Sequence, residues 1–123
     1  MSIERGAAAV HELSLMQTLG ERVLAVATEH AADRVVAIRL RIGSLAGVDP
    51  EALRFAAEVV LAGTCAEGAT LAIEESAAAW WCEPCGADFD TLGNQGACPR
   101  CGTPSARLAR GKELALVALE LLP

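Results

Sequence analysis

Aromatic side chains are scarce in this chain. Two tryptophans, two phenylalanines and no tyrosine occur among 123 residues, so a core built on stacked rings is excluded. The interior must come from Leu, Val, Ile and Ala, and a hydrophobic fraction of 53% supplies enough of them. Positive charge is also short. Ten basic against sixteen acidic residues leave a net charge of −6, a poor match to nucleic-acid phosphates or anionic membrane surfaces. No apolar run reaches the roughly 18 residues that a membrane span requires. The segment Met1–Ala9 holds Arg5 and small residues without an apolar stretch, so it does not read as a secretory signal. A nucleophile–base pair, a phosphate loop and a dinucleotide fingerprint are all missing, which argues against an enzyme. The length allows one ordinary domain, or a small domain plus a module.

What the chain does have is cysteine in a pattern. Cys82-Glu83-Pro84-Cys85 is followed, after twelve residues, by Cys98-Pro99-Arg100-Cys101. Two C-x-x-C turns at this separation can place four thiolates around a zinc ion at about 2.3 Å. Pro84 and Pro99 stiffen the turns, and Gly86 and Gly102 follow each second cysteine, where a positive φ is often needed. A lone C-x-x-C would be ambiguous with a redox motif, whereas the matched pair is far more specific. A closed four-thiolate site has no open position, so the zinc is read as structural. The fifth cysteine, Cys65, reads as a small buried hydrophobe in a reducing compartment, which points to the cytoplasm.

Residues 1–10 carry no pattern and are expected to form a disordered extension. Ser14 and Gln17 suggest a capping box, with Leu15, Leu19, Val23 and Val26 at helical spacing over about Leu13–Ala31. Val35–Ile42 alternates, with Val36, Ile38, Leu40 and Ile42 on one face and Arg39 and Arg41 on the other. Asp49-Pro50-Glu51 is a strong helix start, with Asp49 as N-cap and Gly63 as the stop. Thr70–Glu75 predicts a second strand. Glu113–Leu121 predicts a last strand, apolar on both faces and so expected inside a sheet or under cover. Trp80 and Trp81, in one strand, should point to opposite faces. The fold expected is α+β: a small mixed sheet of about three strands with two helices and an inserted four-cysteine zinc ribbon. The domains expected are 11–79 with 105–123, and a zinc-binding domain over 80–104.

His11-Glu12 is the second candidate site. An imidazole, its own deprotonated amide and the next amide make a chelate suited to square-planar Ni(II) or Cu(II). Read without that chemistry, the pair is a solvated first turn.

Five stretches carry a resemblance: Val10-His11-Glu12-Leu13-Ser14, Arg41 to Glu51, Glu67 to Glu74, the paired cysteine motifs, and Gly111-Lys112-Glu113-Leu114. Together they resemble the HypA/HybF hydrogenase-maturation proteins from His11 to the end of the chain. The resemblance implies a nickel metallochaperone that receives Ni(II), works with a HypB-type nickel GTPase, and delivers the ion to the large subunit of a [NiFe] hydrogenase. It implies His11 as the nickel ligand, with Glu12 and Asp49 beside it, and Cys82, Cys85, Cys98 and Cys101 as the zinc ligands. A homodimer is left open, and neither nucleic acid nor membrane is an expected partner. In that family the histidine directly follows the initiator methionine, whereas ten residues precede His11 here. Either the extension is native, or Val10 is a GTG start read as methionine; the featureless residues 1–10 favour the second. The rival reading is a zinc-ribbon nucleic-acid or protein interaction module with no nickel role. Glu83, Asp88 and Asp90 against Arg100 alone count against its nucleic-acid form. A thiol-redox enzyme is the remaining rival.

Overall fold

A computed structural model describes residues 3–90, 97–105 and 107–123. The elements run α1 (Ile3–Glu29), β1 (Arg34–Gly43), α2 (Pro50–Leu61), β2 (Thr70–Ser76), β3 (Ala79–Cys82), β4 (Ala87–Asp90), β5 (Leu108–Arg110) and β6 (Leu114–Leu122). Two three-stranded sheets form, ordered β2-β1-β6 and β4-β3-β5. The expected fold class holds: two helices, a small sheet and a cysteine module inserted before the last strand. Among the described residues no helix is long and apolar enough to cross a membrane. The chain divides into two compact units. One holds residues up to 40, 48–73 and 116–123, and the other holds 41–47 and 74–115, so the division falls within β1, β2 and β6.

In the first unit, α1 begins at Ile3, so residues 3–10 are helical where a disordered extension was expected. Ala7, Ala8 and Ala9 have the highest helix propensity of any residue type, and nothing between them and Ser14 breaks the helix. Ser14 is therefore interior, its carbonyl accepting from the Thr18 hydroxyl at 3.4 Å. The helix stops in a Schellman turn. Ala31 adopts φ 52, and the amides of Ala32 and Ala31 donate to the carbonyls of Ala27 and Thr28 at 2.9 and 3.1 Å. The buried stripe of α1 is Glu12, Met16, Leu19, Val23 and Ala27, whereas Leu15 and Val26 are half-buried. It packs against Leu53, Ala56, Ala57 and Leu61 of α2. Each large aliphatic side chain buried there contributes about 1.5–3 kcal/mol. Gly20 permits the close helix approach, since a Cβ there would stand 3.1 Å from Val60 Cγ1. Cys65 is half-buried rather than fully buried, and its carbonyl accepts from the Val35 amide at 3.0 Å.

β1, not the terminal strand, is central in its sheet. β6 lies at an edge, and its Val117 and Leu122 remain 38% and 47% exposed. Its apolar run reads as burial on both faces, but Ala115 and Ala118 are small and demand little cover. The alternation of β1 is the better signal: Ile38, Leu40 and Ile42 are buried, and Arg39 and Arg41 are exposed.

The second unit is larger than the 80–104 module expected from the cysteines, because β5 pairs with β3 and the 41–47 loop bonds into the same unit. Gly43 N–H donates to the Glu113 carbonyl at 2.7 Å, Ser44 N–H to Ser76 at 2.8 Å, and Leu45 N–H to Gly111 at 2.7 Å. Backbones nearly touch here: a Cβ on Gly43 would lie 2.1 Å from the Gly111 carbonyl. Arg41 pairs with Glu74 at 3.3 Å. The Glu113 carboxylate is held down to about 2 by the Ser76 hydroxyl, its own amide and the Gly111 amide, the last donating to Oε1 at 2.7 Å.

Two outcomes follow. Gly43→Ala should destabilise the protein by about 3 kcal/mol or more, since rigid backbone must move to admit the methyl; thermal unfolding measures this, and an unchanged melting temperature refutes it. Glu113 contributes stability above its ordinary value near 4.5, and this is lost as pH falls toward about 2. Glu113→Gln should therefore flatten the loss of stability between those limits while leaving the profile above them unchanged in shape.

Candidate metal centre

The cysteine cluster is assembled by two turns of the same construction. β3 ends at Cys82 and pairs antiparallel with β4, Cys82 opposite Ala87 and Trp80 opposite Phe89. Between the strands, the Gly86 amide returns to the Cys82 carbonyl at 2.9 Å with Gly86 at φ 64. In the second turn, the Gly102 amide returns to the Cys98 carbonyl at 2.7 Å with Gly102 at φ 76. Cys98 N–H donates to the Thr103 carbonyl at 3.0 Å, and Ala97 bridges Pro104. Trp80 and Phe89 pack against the buried Cys82 and Cys98. Trp81 faces the other way, as alternation requires. Its indole N–H donates to Glu83 at 2.8 Å, and the Arg107 guanidinium lies 5.8 Å from its ring centre.

All four Sγ atoms lie within 4.8 Å of one another, with Cys82–Cys101 at 3.5 Å and Cys85–Cys98 at 4.0 Å. A tetrahedron of sulfur around zinc, with bonds of about 2.3 Å, has edges of about 3.8 Å, so the donor set fits that ion. Among the described residues this is the one group of three or more His, Cys, Asp or Glu side chains close enough to share a metal. Its electrostatics are uneven. The Cys85 amide lowers the Cys82 thiol, but burial and the neighbouring thiols outweigh it and push it up to about 12. Burial raises Cys98, yet the amides of Cys101 and Arg100 and the thiols of Cys82 and Cys101 bring it down to about 6. The Cys101 thiol is lowered, chiefly by the Thr103 hydroxyl, and the Cys85 thiol is raised, chiefly by Cys101. Cys98 and Cys101 are thus shifted down and Cys82 and Cys85 up within one cluster.

The other candidate residues lie in the first unit. His11 is exposed on α1. Glu12, its neighbour, is 1% exposed, and its Oε2 accepts from the Asp49 amide at 2.7 Å, while Oε1 is buried with no hydrogen-bond partner among the described residues. Asp49 is the N-cap of α2, as its sequence context suggested, and its Oδ1 accepts from the Glu51 amide at 3.0 Å. Glu12 and Asp49 are thus in direct contact across 37 residues of sequence. The two amides invoked for a square-planar chelate at His11 lie inside α1, so that chelate needs the helix opened around them. The buried role of Glu12 was missed from sequence, although its spacing from Met16 and Leu19 places it on the packed stripe.

Residues 10–121 match the profile of the family described as "Hydrogenase/urease nickel incorporation, metallochaperone, hypA". The hydrogenase maturation factor HypA of Rhizobium leguminosarum bv. viciae is 39% identical over 113 residues, 92% of this chain and 100% of that protein. The HypA of Chloroflexus aurantiacus is 42% identical, covering 90% and 98%. The solution structure of the Ni metallochaperone HypA from Helicobacter pylori is similar with a TM-score of 0.69 at 22% identity, covering 90% of this chain and 97% of that one.

Metal removal by a strong chelator should melt the β3–β4 hairpin and both turns while α1 and α2 persist. Structural zinc in small modules is worth about 10–16 kcal/mol, far beyond what Trp80 and Phe89 supply by burial. The measurement is tryptophan emission, which should shift with thiol exposure while the helical circular dichroism holds. Unchanged emission after complete metal loss would refute it.

Proposed function

The chain belongs to the HypA family of hydrogenase/urease nickel-incorporation metallochaperones, and from that membership we propose that it binds Ni(II) and delivers it for maturation of a [NiFe] hydrogenase. The ion is cargo, and the protein's work is capture, holding and release rather than catalysis. A HypB-type nickel GTPase is the partner in loading or release, the hydrogenase large subunit is the recipient, and the setting is the cytoplasm. His11 is the leading nickel ligand, the Asp49 carboxylate completes the site, and Glu12 is bonded to the Asp49 amide beside it. Cys82, Cys85, Cys98 and Cys101 hold zinc as a structural ion.

One observation supports this reading above the others: Glu12 of α1 is bonded to the Asp49 amide at the start of α2, so the two acidic residues that the family resemblance sets beside His11 are in direct contact. The chemistry suits a carrier. An exposed imidazole lets the ion enter and leave, and a nitrogen–oxygen donor set holds a cation without the grip of a sulfur cage. Thiolates and a nitrogen–oxygen site also separate the two metals by ligand type, so each ion has its own place.

His11→Ala should weaken nickel binding by about 100-fold or more while zinc stays at about one per chain. Nickel titration with zinc quantified in parallel measures both. Wild-type nickel affinity in this variant would remove His11 from the site.

A further inference from the structure

A helix N-cap residue has two needs. Its side chain accepts from an amide of the first turn, and its own amide, lying outside the helix, requires an acceptor. In Asp49 the first need is met locally, by Oδ1 and the Glu51 amide. The usual supplier of the second is a Glu or Gln at the third helical position, reaching back to close a capping box. That position is Ala52, whose side chain has no acceptor. The missing oxygen comes instead from the other helix: Glu12 Oε2 takes the Asp49 amide at 2.7 Å. The capping box of α2 is closed from α1.

Burial shows that this bond has a purpose. Glu12 stands in a stripe that is otherwise Met16, Leu19, Val23 and Ala27, and it is the one buried charged residue among those described. Its Oε1 is enclosed without a partner. An apolar residue would avoid that empty acceptor and extend the stripe, but would leave the Asp49 amide unpaired. The cost is borne where it fixes the backbone of a residue that the nickel reading uses.

Resting on that reading, we propose that Glu12 is a positioning residue. Its carboxylate pins the Asp49 backbone, and so sets where the Asp49 carboxylate stands relative to His11, without itself ligating the metal.

Nickel titration of the full zinc-loaded chain, followed by the ligand-field absorption of the nickel complex, tests this with four variants. Glu12→Gln keeps a carbonyl acceptor and loses the charge; it should hold affinity within about threefold of wild type with an unchanged spectrum. Glu12→Leu should weaken binding by about 10–100-fold. Asp49→Ala should weaken it comparably, and adding Glu12→Leu to Asp49→Ala should cost less than about twofold more, because both changes remove the same ligand. A Glu12→Gln variant as weak as Glu12→Leu, additive losses in the double variant, or wild-type affinity in Asp49→Ala would each overturn the positioning role. If Glu12→Leu proves unfolded by circular dichroism, Glu12→Gln decides alone. Nickel retained by His11→Ala would instead overturn the nickel reading itself.

Discussion

A carboxylate taken out of water must be bonded or it destabilises what surrounds it. Glu12 is that carboxylate in the first unit, and the α1–α2 junction is arranged around it. The stripe that continues as Met16, Leu19, Val23 and Ala27 docks one helix on the other, Gly20 lets them approach closely, and Glu12 ties the end of this contact to the first turn of α2. The packing that stabilises the helices therefore also fixes a polar position. Movement of α1 along α2 would displace the Asp49 amide from its acceptor, so this bond has no slack independent of the core.

The second unit solves a different electrostatic problem. Four thiols packed within 4.8 Å cannot all lose their protons unaided, and the spread from about 6 at Cys98 to about 12 at Cys82 displays the conflict. A divalent cation bound there would satisfy every sulfur at once, and would fix two turns that few apolar side chains support. Under the proposed function, ligand chemistry would divide the labour: sulfur for an ion that shapes the chain, nitrogen and oxygen for one that passes through.

Much of this was legible from residues alone, for identifiable reasons. The cysteine spacing, the Asp49-Pro50 helix start, the alternation of Val35–Ile42 and the opposed tryptophans are local patterns, and each is read by counting along a few residues. The sequence misleads where one local signal is outweighed by another or by a distant partner. The Ser14–Gln17 capping signal points to a helix start there, yet Ala7–Ala9 carry α1 past it. The apolar composition of β6 points to the middle of a sheet or to cover by another surface, yet strand order is set by partners and not by composition, and β6 takes an edge. Glu12 was read through its neighbour His11 and not through its own register, four residues before Met16. The acceptor for Asp49 lies 37 positions away, a distance that no capping motif spans.

The 41–47 segment, the end of β1 and the loop after it, carries a consequence for how this fold can be divided. Its amides satisfy carbonyls of Ser76, Gly111 and Glu113, and its Ser44 hydroxyl accepts from the Ala78 amide. Those bonds belong to the same unit as the cysteines, although the loop is encoded more than thirty residues upstream of Cys82. The cysteine-bearing unit is thus not a cassette that can be cut out as one uninterrupted stretch and grafted elsewhere. A transplant limited to 74–115 would leave three backbone acceptors facing solvent, and a faithful one would carry the loop as a separate insert.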